Sequence, residues 1–260
     1  MANEDYINQA VVNAFKILEL FNENNIQYTS QEITDLLDIS SSSGWRLVQT
    51  LEHIGYLRKD EDDKYFLGFK GLNFAKIILN SLDVRRVALP HLRELAEDLK
   101  LNVSLGILGM NEAIYIVRIP SPEIPDTNFH VGRRVPLHCT GLGKVLLAYQ
   151  KEEVKNSIIE NIEIKKLTQN TIATKDELKS NLEEVCKNGY AHDEEEFIEN
   201  TSCLAMPIWN NSGEIEASIS ISNRKLFRKQ QINLEENLEK LSQTANKISH
   251  SLGYSLYNPV

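Results

Sequence analysis

Gly141-Leu142-Gly143-Lys144 is the stretch of this chain whose residue types come closest to an anion-binding loop. A Walker A phosphate loop requires a glycine five residues before the glycine of its Gly-Lys pair, and Ser or Thr after the lysine. His138 and Val145 occupy those places, so the phosphate-loop reading fails. What survives is a helix start near Thr140, where first-turn amides and the positive helix end can hold a carboxylate. Close packing of that helix on a sheet is the other explanation of the same glycines. Polar groups that could complete a site lie downstream. Asp193 follows the apolar Tyr190-Ala191, Cys203 sits in the apolar run SCLAMPIW, and Ser220 and Ser222 alternate with Ile219 and Ile221. Alternation on a strand turns both hydroxyls to one face. Amides, two hydroxyls, a thiol and a carboxylate suit a small polar organic acid. Read singly, Ser220 and Ser222 are better explained as a solvated sheet face and Cys203 as an inert core thiol.

Other chemistry finds less support. Cys139, Cys203, His138, His192 and Asp193 include zinc-type ligands but show no C-x2-C or H-x3-H spacing, which leaves a scattered set of Cys139, Cys203 and Asp193 as the zinc alternative. Cys139 or Cys203 with a histidine would be the enzymatic alternative. No nucleophile motif and no cofactor loop accompanies them, so neither catalysis nor a cofactor is expected.

A second set of polar residues lies near the N-terminus, on TSQEITDLLDISSSSGWRLVQTLEHIGYLRKDEDDKYFLG, residues 29–68. Thr29 with Glu32 forms a capping box for one short helix, whose apolar face is Ile33, Leu36 and Leu37. The serine run from Ser40 starts a second helix. There Leu47, Val48, Leu51 and Ile54 fall on the inward side. Ser42, Ser43, Trp45, Arg46, Gln49 and His53 are left on or beside the outer face. Two short strands, 56–59 and 64–67, flank the acidic turn Asp60–Asp63. Helix, turn, helix and wing is the order of a winged helix-turn-helix, whose second helix enters a DNA major groove.

The charge balance opposes this assignment. Residues 1–83 carry seven Lys and Arg against thirteen Asp and Glu, and the whole 260-residue chain has a net charge of −9. DNA affinity rests on neutralised phosphates. Positive charge must therefore be local, on Arg46, Arg58, Lys59 and Lys64, and doubled by a second copy of the chain. A metabolite- or metal-binding sensor acting through protein partners, with a head that no longer reads DNA, is the alternative this balance favours.

The remaining elements follow from periodicity. Residues 10–22 form the first helix of the head, and residues 70–82 form a helix whose apolar stripe requires a partner such as its own copy. Helices are expected over 84–99, with Pro90 as a bend or fresh first turn, from about Thr140, over 152–159, over 174–188 and over 229–252. Hairpin strands are expected over 103–108 with 113–119 and over 202–209 with 214–222, and a short strand over 128–131. Hairpins interleaved with helices indicate an α+β domain with an antiparallel sheet. The expected division is a winged helix-turn-helix domain over 1–69, a linker helix over 70–83 and an effector domain over 84–260. With 42% hydrophobic residues, three cysteines, no apolar run of membrane-spanning length and no N-terminal signal pattern, a cytoplasmic protein without membrane attachment is expected.

These motifs, in this order, resemble the IclR-type bacterial transcriptional regulators along nearly the whole chain. The resemblance is carried by WRLVQTLEHIGYL and YFLG in the head, and by PLHCTGLGKVLLA, GYAHDEEEF and SCLAMPIWNNSGEIEASISIS in the body. It implies a DNA-binding head, a linker helix that pairs between subunits, and a GAF-like effector domain. It also implies a homodimer or dimer of dimers on palindromic double-stranded DNA, controlling catabolic genes in response to a small organic acid. By position it places the effector site on Gly141, Leu142, Asp193, Cys203, Ser220 and Ser222, and the DNA contacts on Ser42, Ser43, Trp45, Arg46, Arg58 and Lys59. Two departures stand out. Gly44 replaces a small apolar residue, at about 1 kcal/mol of helix stability against alanine. Asn200 replaces a glycine, which asparagine can do because it tolerates positive φ.

Overall fold

The capping and periodicity signals of the first 81 residues build a small three-helix head with a wing. The computed structural model describes residues 6–124, 129–224 and 234–255, and the chain divides into two compact units, Met1–Ser81 and Leu82–Val260. In the first unit α1 (Gln9–Leu20), α2 (Ser30–Leu36) and α3 (Ser41–His53) pack around Ile17, Ile33, Val48 and Leu51. Thr29 and Glu32 make the expected capping box of α2, and Ser40 Oγ accepts from the Ser43 amide to start α3. Asp38, at φ +50°, makes the turn between them. The wing pairs β1 (Leu57–Lys59) with β2 (Tyr65–Leu67), and Tyr28 bridges Tyr65 from outside it. Asp60 stabilises the wing turn by accepting from the amides of Asp62 and Lys64.

Gly44 has a local reason. A Cβ at this position would lie 2.6 Å from Thr34 Oγ1, because α3 crosses α2 at a buried threonine that itself donates to the Ser30 carbonyl. The helix-propensity penalty of glycine is thus offset by a crossing alanine could not make. Gly44→Ala is expected to lower the melting temperature of the head despite its better propensity, and adding Thr34→Ala to restore most of the loss. Paired thermal melts of the single and double variants check this.

The last element of the first unit is α4 (Gly71–Ser81), in which no residue is buried. Phe74 stacks on Tyr56 with ring centroids 6.0 Å apart. Val11, Phe15, Leu47, Ile54, Leu67 and Phe74 line an apolar groove within the unit. Ile54, expected inside, is 40% exposed at this groove.

The second unit is a six-stranded antiparallel sheet of order β5-β4-β3-β8-β7-β6. Its strands are β3 (Asn102–Leu108), β4 (Glu112–Ile119), β5 (Arg134–Pro136), β6 (Ala191–Glu194), β7 (Thr201–Trp209) and β8 (Ile215–Arg224). α5 (Asp83–Leu99) and α9 (Leu234–Ser251) pack together on one side. α6 (Gly141–Ala148), α7 (Glu152–Asn161) and α8 (Lys175–Asn188) share a core with the sheet on the other. All eight residues of α6 are buried, which makes it the central helix of this layer.

Several expectations are corrected. α5 runs unbroken through Pro90, which lies on the exposed side, where water can meet the carbonyl that loses its donor. Residues 129–131 form no strand, and pairing at that edge is made by β5, too short and too polar to show periodicity. β6 was concealed by its acidic composition. Glu177 completes its cap on the Ala173 amide rather than on Thr174. The first residues of the expected last helix, 229–233, and Asn128 lie outside the described residues.

Candidate functional site

In the head, α3 turns Val48 and Leu51 into the core and leaves Ser42, Ser43, Trp45 and Arg46 exposed, with Trp45 56% accessible. An indole held in water with no core role is a costly placement that a partner surface would relieve. Gln49 is placed differently from the expectation. Its amide donates to Tyr65 Oη at 2.8 Å and to Glu52 Oε2 at 3.3 Å, so it ties α3 to the wing. The wing cations are presented on partners of their own. The Arg58 guanidinium lies 4.6 Å from the Phe66 ring centroid, and Lys59 pairs with Asp63 at 2.7 Å, which holds the ammonium above its usual pKa.

In the second unit the sheet register assembles a cavity. Asp193 pairs with Cys203, Cys203 with Ser222, and Ser222 with Asn102. Directly paired residues share a face, so four side chains from four neighbouring strands form one row. Ser220 lies one step along β8, opposite Ser104 and Ala205. α6 begins above this row. A Cβ on Gly141 would lie 3.1 Å from Cys203 Sγ and 3.2 Å from Ala205 Cβ, and one on Gly143 would lie 2.6 Å from Leu137 Cα. The two readings of these glycines therefore join. The close approach they permit is what delivers the helix end to the row. Thr140 Oγ1 caps the Gly143 amide at 3.0 Å, and the amides of Gly141 and Leu142 are ones the helix cannot satisfy itself. The result is a cavity of about 400 Å³ lined by Gly141, Leu142, Asp193, Cys203, Ser220 and Ser222 together.

Burial pushes the Asp193 carboxyl up to about 7, with Glu196 beside it acting in the same direction and the Glu196 amide, 2.8 Å from Oδ1, opposing both. The carboxyl therefore keeps its proton to a higher pH than an exposed aspartate does. Burial also pushes the thiols of Cys203 and Cys139 up to about 12. Burial thus favours the thiol form of both, the opposite of the shift an activated cysteine nucleophile shows. Cys139 is outside the cavity lining, and among the described residues no three His, Cys, Asp or Glu side chains gather as a metal site.

Sequence reasoning missed several lining residues. The three arginines, Arg118, Arg133 and Arg224, and the rings of Tyr115, Phe129 and Phe197 line the same cavity. Arg224 continues the alternation of Ser220 and Ser222 and was legible. The others depend on strand pairing. Lys144 was missed as well. It is fully buried, its Nζ donates to the His192 carbonyl at 2.7 Å, and it forms an ion pair with Glu196. Thr168 and Thr171 donate to the carbonyls of Glu195 and Glu196, which fixes the segment that brings Phe197 to the cavity. Asn200 closes this segment at φ +58°.

A winged helix-turn-helix joined to a unit with a polar cavity between a buried helix and an antiparallel sheet defines a DNA-binding transcriptional regulator with an effector-binding domain. The chain belongs to the IclR family: residues 10–61 match the IclR helix-turn-helix domain, and residues 76–250 match the bacterial transcriptional regulator IclR C-terminal domain. It is 33% identical to the HTH-type transcriptional regulator XynR of Escherichia coli (strain K12) over 95% of this chain and 98% of that one. It is also 33% identical to the HTH-type transcriptional regulator KdgR of the same organism, over 99% of each chain. The crystal structure of the Thermotoga maritima IclR superposes with a TM-score of 0.75 at 29% identity, covering 95% of this chain and 99% of that one. The family consists of transcriptional regulators, not enzymes, and no helix among the described residues is long and apolar enough to cross a membrane.

Proposed function

We propose that this protein is a cytoplasmic transcription factor whose affinity for a palindromic operator is set by a small organic acid held in the cavity of the Leu82–Val260 unit. The observation that carries the reading is the convergence of the α6 first turn with Asp193, Ser220 and Ser222 in that cavity. The acid's carboxylate takes the amides of Gly141 and Leu142, and the serine hydroxyls and Cys203 fix its remaining polar groups. In the head, Arg46 with Ser42, Ser43 and Trp45 contacts the major groove, and Arg58 and Lys59 of the wing contact phosphates.

The composition of α4 supports dimerisation through it. Leu72, Phe74, Ile77 and Ile78 are all more than half exposed, and a helix with such a stripe is stable in water only when covered. Paired heads must then meet half-sites about 34 Å apart, or a multiple of that. A change in packing around α6 that alters head spacing acts as a switch if the coupling reaches about 1–3 kcal/mol. Ile77→Asp with Ile78→Asp should give monomers by sedimentation and abolish operator binding at sub-micromolar protein.

Thermal shift on candidate acids tests the cavity. The Ser220→Ala/Ser222→Ala pair should lose the stabilisation that an acid gives the native chain, with the apo melting temperature little changed. An unchanged shift would contradict the assignment. Asp193 adds a pH signature. Its unfolded carboxyl titrates near 4 and its folded one near 7. The stability it contributes is complete below about 4 and is lost as pH rises through about 7. Acid binding should weaken over the same upper range as the carboxyl ionises. In Asp193→Asn both dependences should flatten between pH 5 and 8.

A further inference from the structure

Tyr115 lines the cavity, is only 9% exposed, and makes no hydrogen bond through its hydroxyl to any described residue. We propose, resting on the effector reading above, that this hydroxyl donates to an oxygen of the bound acid. Tyr115 thereby joins Asp193, Cys203, Ser220 and Ser222 as a ligand-binding residue.

A buried tyrosine hydroxyl ordinarily finds a hydrogen-bond partner, because an unmade bond forfeits the one it had to water. Phenylalanine would fill the same space without that cost. The hydroxyl is also not closed off from solvent, unlike Thr201 Oγ1 in the same lining, which is buried without a partner. It therefore opens on the cavity that the residue lines. Burial pushes the phenol above its usual pKa, so it keeps its proton and remains a donor.

A bulge brings Tyr115 to this face. β3 and β4 pair Ser104 with Arg118 and Leu105 with Val117, and the register then shifts so that Gly106 faces Tyr115 rather than Ile116. Strand bulges re-aim side chains in this way. Gly106 in turn lies beneath Leu142, since a Cβ added to it would be 3.3 Å from Leu142 Cδ1. Tyr115 thus belongs to the row under one of the two residues whose amides would take the acid. Its amide donates to the Arg133 carbonyl at 3.0 Å, and its carbonyl accepts from the Gly132 amide at 2.8 Å. The ring stands edge-on to Phe129, with centroids 5.7 Å apart and planes at 84°. Backbone and ring are held by the protein, and the hydroxyl alone is left unserved. That is the arrangement of a donor ordered before its ligand arrives, which lowers the cost of binding.

Tyr115→Phe in the full chain tests this, by calorimetric titration with butyrate, 2-oxobutyrate, 4-hydroxybutyrate, hexanoate and 6-hydroxyhexanoate, and by melting without ligand. Acids that the native chain binds should bind the variant at least about three-fold more weakly, the loss of one hydrogen bond. The ligand-free melting temperature should not change. Weakening of every such acid would support the proposal with the carboxylate as acceptor. Weakening confined to the oxo and hydroxy acids would support it with the second oxygen as acceptor. A hydroxyl bonded within the protein would instead show as a fall of about 2–4 °C in the ligand-free melting temperature. That fall, or unchanged affinity for every acid, would overturn the proposal and leave the effector reading standing. A native chain that binds none of the acids would overturn both.

Discussion

Arg46→Ala should lower operator affinity by roughly 30-fold to 20,000-fold while leaving the fold intact. Each bidentate arginine pairing with a base edge is worth about 1–3 kcal/mol, and a symmetric dimer loses two of them, about 2–6 kcal/mol in all. The head offers little else to compensate. Residues 1–83 carry a net charge of −6, and Arg46 is the one arginine of α3. Its side chain is exposed beside Trp45, so its removal disturbs no packing and the melting temperature should hold within a degree or two. Lys59→Ala makes a useful contrast. If the wing ammonium binds a phosphate as proposed, its removal should weaken all duplexes alike and reduce the slope of log affinity against log salt by about one for each phosphate released. Fluorescence anisotropy over a salt series, with melting curves alongside, separates the two effects. Unchanged affinity in Arg46→Ala would exclude α3 as the reading helix.

Lys144→Met should destabilise the second unit by about 3–5 kcal/mol, the usual cost of leaving a buried charge without its partner. For a unit of this size that is a fall in melting temperature of roughly 6–20 °C. Lys144 has no exposed surface, and its ammonium holds both the His192 carbonyl and the Glu196 carboxylate. Removing it strands Glu196, whose Oε2 is already buried without a hydrogen bond, and frees the segment that carries Phe197 into the cavity. Effector affinity should fall with stability. The double variant Lys144→Met/Glu196→Leu should recover most of the loss, because two apolar side chains of similar volume replace a desolvated pair. Differential scanning calorimetry of the three proteins distinguishes this from a general effect of altering α6: if the double variant melts no higher than Lys144→Met, the ion pair is not the cause.

The parts of this structure legible in the sequence are those fixed by local rules. Thr29 and Glu32, Ser40, Thr140 and Thr174 mark helix starts because capping is decided within four residues, and the wing hairpin follows from its turn. Ser220 and Ser222 share a face because strand alternation is local. What the sequence concealed depends on partners distant along the chain. The row Asp193–Cys203–Ser222–Asn102 exists only once β6, β7, β8 and β3 are in register. β6 itself, AHDE, has neither the length nor the composition of a strand, and it forms by pairing with β7. Lys144 carries no local sign of burial. Its position in a Gly-Lys pair invites a phosphate reading, whereas its partner lies 52 residues away. Helix geometry alone points Gln49 outward, and the Tyr65 hydroxyl draws it to the wing. Gly44 reads as a defect of helix propensity until Thr34 is seen beneath it.

Equilibrium binding of the folded chain to duplexes selected from its own genome, with and without small organic acids, tests the central claim most directly. A selected palindrome should bind with an affinity that falls linearly with salt on logarithmic axes, and that shifts about five-fold or more when a cavity-binding acid is added. A well-folded sample that retains no duplex at low ionic strength in either condition would contradict the assignment of α3 to DNA and of the cavity to its control.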